Sequence, residues 1–218
     1  MTLERTYHKL VSVVGCSILA SVIYTPQAEA QSAKTIDAHY DYLYADVTSG
    51  RFDADDGQDG NATSLAIGVS QVFNQDWLFV TDYSARFLHP DNVTVQRYTL
   101  MPGIGYRYSL SDSWDISSRV KAGMIWSQVK LDGTDEKINK DSEFIYGADV
   151  ALRFFATEKL SFLASAELNR SDIVDENIYI ARADYRVSQR FTFGAFYSYR
   201  SDDTLYVNEG GLSLKYAF

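Results

Sequence analysis

From residue 31 onward, apolar and polar positions alternate with a period of two almost everywhere, the pattern of strands that present one greasy face and one polar face. Trp77, Phe79, Tyr83, Ala85 and Phe87 share one parity. So do Trp114, Ile116, Val120, Ala122, Met124 and Trp126, and again Phe144, Tyr146, Ala148, Val150, Leu152 and Phe154. Turn-forming residues interrupt the alternation at the spacing of a meander, which predicts ten strands: 35–45, 63–73, 77–88, 93–108, 114–127, 142–155, 160–170, 177–187, 191–200 and 204–218. Helical spacing is absent over any long window. Connections at 74–76, 109–113, 156–159 and 188–190 are short, whereas 46–62 and 128–141 read as long loops. Pro102 removes a ladder donor and predicts a bulge in the fourth strand. The glycines of "GIGYRY" at 103–108 are placed where a side chain would crowd an interior, a plainer reading than a phosphate loop because they lie in a strand.

Alternation alone admits two folds, because a greasy stripe faces either lipid or a second sheet. Several segments exceed the five or six residues usual in soluble sheets and reach the roughly 9–11 tilted residues that a bilayer requires. Aromatic side chains gather at the strand ends and smaller aliphatic ones in the middle, as a hydrocarbon band between two interfaces demands. A sheet in lipid has no tolerance for unpaired edges, so first and last strands must meet. The expectation is an all-β, ten-stranded antiparallel transmembrane meander barrel, with a soluble secreted β-sandwich as the alternative.

Residues 1–30 read as a cleavable signal peptide. Arg5 and Lys9 precede the apolar run "LVSVVGCSILASVIY", and Ala28 and Ala30 supply small residues ahead of Gln31. Cys16 within a lipoprotein box is a weaker reading, because the apolar run continues well past it, and the run falls short of the roughly 20 residues of a spanning helix. Residues 31–218 then form one barrel domain. The single Cys excludes an internal disulfide, and 29 acidic against 20 basic residues disfavour a nucleic-acid role.

The closing segment "GLSLKYAF" places Leu212, Leu214, Tyr216 and Phe218 on one face and ends on an aromatic ring. Together with the leader and the alternating strands, it resembles the bacterial outer-membrane β-barrel proteins as a class. The resemblance implies that these four residues are the assembly signal read by the barrel-insertion machinery. It also implies export through the periplasm to the outer membrane, both termini in the periplasm, and contact with outer-membrane lipid. The unequal connections predict short periplasmic turns and longer acidic extracellular loops, and the charge of those loops is the ground for expecting contact with lipopolysaccharide through divalent cations.

Strand parity sends an unusual set of charges inward. The basic members are Arg86, Arg97, Arg107, Arg119, Lys121, Arg153, Arg182, Arg186, Arg200 and Lys215. The acidic members are Asp37, Asp41, Asp82, Asp115, Glu143, Asp149, Glu167, Asp184 and Glu209, with His39 beside them. Such an interior is nearly neutral, and confined opposite charges pair into networks. Eight strands enclose little beyond their own side chains and sixteen leave a channel, so ten lie near the filled end. The expected role is therefore structural or surface-interacting, the alternative a narrow channel for ions or small solutes. Most of the net negative charge then falls on the outer loops, where an extracellular ligand would meet it.

Two stretches carry possible chemistry. In "DADDGQDGN", Asp53, Asp55, Asp56 and Asp59 bring hard oxygens together around Gly57 and Gly60, which suits Ca2+. The closing Glu and flanking helices of a calcium hand are missing, and a solvated acidic tip is the plainer reading; no other cofactor is expected. His39, between Asp37 and Asp41, would serve a lipid- or peptide-modifying barrel enzyme if Ser70 or Ser84 supplied a nucleophile. A structural histidine in the lumen is the preferred alternative.

Overall fold

The computed structural model describes residues 39–54, 59–90, 93–131, 137–202 and 205–218. Asp37, Asp55, Asp56 and the whole leader lie outside the described residues. Among the described residues there are ten strands: β1 (Tyr42–Ala54), β2 (Asp59–Phe73), β3 (Trp77–His89), β4 (Val93–Ser111), β5 (Trp114–Leu131), β6 (Lys137–Phe155), β7 (Leu160–Arg170), β8 (Asp175–Arg186), β9 (Phe191–Ser201) and β10 (Leu205–Ala217). Each pairs antiparallel with its chain neighbours, and β1 pairs with β10 from Tyr42 opposite Ala217 to Ala54 opposite Leu205. The sheet is closed, so no strand edge remains.

The greasy parity faces outward. Leu212 is 65% exposed, Phe144 59% and Val120 57%, whereas Asp115 and Glu209 are buried. This overturns the sandwich alternative, in which apolar rows would stack and charges would meet solvent. Exposed aromatic residues mark both rims, with Trp77, Tyr106, Trp114 and Phe191 near the end where β1 begins and β10 finishes and Tyr179, Tyr197 and Tyr206 toward the other.

The first strand differs from expectation. It begins at Tyr42 instead of residue 35, and its even positions point inward. A row of tyrosines looks greasy in sequence, yet the Tyr44 phenol donates a hydrogen bond to Asp82 inside the barrel at 2.7 Å. The long loops expected at 46–62 and 128–141 are mostly ladder: β1 and β2 pair as far as Asp53 opposite Asp59, and β5 and β6 as far as Lys130 opposite Lys137. Beyond a hydrocarbon band, outward residues need not be apolar, so the strands continue after the sequence pattern fades. Pro102 brings no bulge; the β4–β5 register is the same at Leu100–Met124 and Gly103–Lys121, and shifts instead between Ser109 and Ser111.

The β2–β3 turn holds Asn74 and Gln75 in the left-handed region, at φ 52° and 68°. Three apolar clusters cap the interior. Tyr40, Leu78 and Val80 lie at the end where β1 begins. At the opposite end Phe52, Ala62, Leu88 and Val207 form one group, and Val174, from the β7–β8 connection, packs on Met101, Ile125 and Ile145 in another.

Candidate functional site

Between the apolar caps the inward positions of the strands carry ionic side chains, and they pair across the lumen in layers. The outer layer is a belt. Glu209 of β10, fully buried, meets Arg86 of β3 at 3.0 Å and Arg200 of β9 at 3.0 Å, and accepts a hydrogen bond from Ser198 at 3.2 Å. Arg200 continues to Glu176 of β8 at 3.2 Å, and Glu176 faces Arg97 of β4 at 3.8 Å. Because β4 and β8 sit well apart around the closed sheet, the belt crosses the lumen instead of following the wall.

The middle layer centres on Lys121 of β5. Its ammonium lies 2.9 Å from Glu167, 3.0 Å from Asp82 and 3.7 Å from Asp149, so one cation serves carboxylates from β7, β3 and β6. Arg119 donates from Nε to Asp149 at 2.8 Å. Gly103 and Gly105 make room for these stems: a Cβ at either would lie 2.7 Å from Cγ of Lys121 or Arg119 respectively. Arg182 of β8 pairs with Asp46 of β1, which also accepts from Ser213, and its guanidinium lies 4.2 Å above the Phe196 ring. A cavity of about 240 Å³ adjoins these layers, with Tyr42, Tyr44, Asp82, Arg97 and Arg119 in its wall.

The third group lies at the end where β1 begins and β10 finishes. Tyr40 turns inward ahead of β1 and donates to Asp115 at 3.2 Å, with Arg107 and Arg153 5.1 and 5.6 Å from its ring centre. Arg107 reaches Asp76 in the β2–β3 turn at 3.4 Å. Lys215 and Arg153 share Asp184, at 2.6 and 3.5 Å. The ring of His39 packs 4.6 Å from Phe155, and its Nε2 accepts from Arg186 at 2.8 Å. Burial, reinforced by Arg186, Arg153 and Lys215, lowers the His39 pKa to about 3, so the ring is neutral. Burial, with the Asp115 carboxylate adding to it against Arg153, pushes Tyr40 up to about 12.

Asp82, Arg86, Arg107, Asp115, Arg119, Lys121, Asp149, Arg153, Glu167, Arg182, Asp184, Arg186, Arg200 and Lys215 all take part in these layers. Asp41 does not: it precedes β1, and its Oδ1 accepts the Val72 backbone N–H at 2.5 Å. Glu143 is half-buried near the outer end of β6. Three ionic members lie outside the expected inward set, one of them Asp76 in the β2–β3 turn. Glu176, just before the expected start of the eighth strand at 177, shares the parity of Ile178 and Arg182, so extending β8 by two residues would have found it. Asp46 is hidden because the sequence pattern ends the first strand at 45 with its odd positions inward, whereas β1 continues to Ala54 with its even positions inward. At the calcium candidate, Asp53 and Asp59 face each other across the hairpin, and among the described residues no group of three or more His, Cys, Asp and Glu is placed to hold a metal. Leu212, Leu214 and Phe218 point outward, and Tyr216 packs against Phe191 with ring centres 5.3 Å apart.

No protein-family model matches the sequence, and no curated protein matches it either. Among solved structures, the translocator domain of the autotransporter NalP from Neisseria meningitidis is similar over 98% of this chain and 98% of its own, with a TM-score of 0.51 and 10% identity. The β domain of the Bordetella autotransporter BrkA is similar over 82% of this chain and 100% of its own, with a TM-score of 0.50 and 13% identity. The fold is that of a bacterial outer-membrane β-barrel. At such identity the likeness concerns the fold alone.

Proposed function

We propose that the protein resides in the outer membrane as a barrel with a sealed, ion-paired lumen, and that its role is structural or surface-interacting instead of conductive. The belt from Arg86 through Glu209, Arg200 and Glu176 to Arg97 is the observation that carries this reading, because it runs across the path a solute would take. The outward greasy face supports residence in lipid. With the termini and short turns in the periplasm, the hairpins at the other end meet the outside, where acidic side chains such as Asp53 and Asp59 contact lipopolysaccharide phosphates through divalent cations or an external ligand. Leu212, Leu214, Tyr216 and Phe218 form the surface offered to the insertion machinery on the way there.

The decisive measurement is a planar-bilayer recording of the pure protein, for which silence or rare small flickers are expected. Large, steady conductance would establish the narrow-channel reading instead. Heat-modifiable gel mobility in the outer-membrane fraction tests compartment and barrel closure independently.

A further inference from the structure

At the end of the barrel where β1 begins and β10 finishes, cations gather around one small cavity in a way the pairing described above does not balance. A small cavity of about 20 Å³ there is lined by Arg153, Lys159, Arg186 and Lys215, with Asp184 as the one carboxylate in its wall among the described residues. Asp184 is already shared between Lys215 at 2.6 Å and Arg153 at 3.5 Å. Asp41, Asp76, Asp112, Asp115 and Glu158 also belong to this end but none lines the cavity; Asp115 and Asp76 are turned toward Tyr40, Ser109 and Arg107, and Asp41 accepts from the Val72 backbone. Arg186 has no carboxylate partner among the described residues; its guanidinium donates to the neutral His39 ring, which places the ring proton on Nδ1. Arg153 is 5% exposed and its Nε has no hydrogen-bond partner. Arg153 and Lys215 are buried and Arg186 is half-buried, and this excess over one carboxylate calls for a counter-charge, since an uncompensated cation is costly away from water.

We infer that this mouth binds a small monovalent anion of halide size, held by Arg153, Lys159, Arg186 and Lys215. The cavity volume selects the size, as it admits about one water-sized sphere and excludes phosphate or a sugar acid. Lys159 stands at the solvent-exposed rim and supplies a route of entry. The lowered His39 pKa, due first to burial, agrees with this field in that three of the same cations add to the effect. The inference rests on the buried charge arrangement alone and stands whether or not the lumen conducts.

Thermal unfolding of the full chain in detergent micelles, in sodium chloride against sodium gluconate at equal ionic strength, tests it. Chloride is expected to raise the midpoint saturably, by about 2–4 °C. Arg186→Gln removes this increment while keeping heat-modifiable mobility, and Arg51→Gln, on the outward face, retains it. Crystals soaked in bromide show an anomalous peak in the cavity. Equal midpoints in the two salts, an increment that survives in Arg186→Gln, or a bromide peak elsewhere overturns the inference. A chloride effect absent from the parent chain but present in Asp37→Asn also overturns it, by assigning the counter-charge to the chain itself.

Discussion

At the scale of single residues, the interior shows how differently one ion pair and one lone charge behave. Arg182 and Asp46 are each about nine-tenths buried as side chains. Asp46→Ala leaves the guanidinium without its carboxylate and is expected to destabilise the barrel by about 3–5 kcal/mol, whereas the double replacement Asp46→Leu with Arg182→Met costs far less. Urea unfolding in micelles, read as a double-mutant cycle, measures the difference. His39 provides a pH signature. Its folded pKa, about 3, lies below the ordinary value of 6.5, so the unfolded chain binds the extra proton first. Its contribution is fully present above pH 6.5 and declines as pH falls toward 3. His39→Gln should therefore flatten the acid limb of stability over that window, which unfolding midpoints across a pH series check. Tyr40 works in the opposite sense: with its pKa raised to about 12, its contribution holds below pH 10 and is lost as pH rises through 12. These residues were visible in the sequence only as inward charges by parity. Which carboxylate meets which cation depends on the stagger of a closed sheet, which no local pattern encodes.

At the scale of elements, β2 to β10 were legible because each has a lipid-like row that fixes its phase. The first strand was not, since Tyr40, Tyr42 and Tyr44 have the bulk of an outward row and the hydrogen-bonding of an inward one. Their placement has a steric counterpart in β2. Gly68 lies beneath Tyr44, and a Cβ there would come within 2.5 Å of the ring and press on the Thr81 carbonyl of β3. Gly68→Ala is thus expected to push the ring aside, loosen the Tyr44–Asp82 hydrogen bond and cost about 1–3 kcal/mol. Adding Tyr44→Ala should cancel the ring clash, so the second replacement costs less in the Gly68→Ala background than in the parent. Strand ends were misjudged for a different reason: outside the greasy band, the ladder of β5 and β6 persists on backbone hydrogen bonds while its outward side chains become polar. Hydrophobic alternation reports lipid contact; it does not report pairing.

At the scale of the whole molecule, strand number sets the question and side chains answer it. Ten strands fall between barrels filled by their own side chains and those wide enough for a channel, so backbone geometry alone does not fix conduction. Two ionic layers lie in series along the lumen, the belt around Glu209 and the hub around Lys121, and the proposed sealed lumen predicts that either alone interrupts a water path. Cutting the belt with Arg86→Ala, Arg97→Ala and Arg200→Ala, together with Glu176→Gln and Glu209→Gln, leaves the hub in place and should remain silent in planar bilayers. Cutting only the hub, with Lys121→Ala, Asp82→Asn, Asp149→Asn and Glu167→Gln, should be silent too. The two sets combined are expected to give small cation- and anion-permeable steps, because an interior stripped of opposed charges admits continuous water. The closed ladder is untouched by either set, so heat-modifiable mobility identifies variants that still form barrels, and only those enter the comparison. Conduction from the belt variant alone would place the whole barrier in that one layer and reduce the hub to a role in stability.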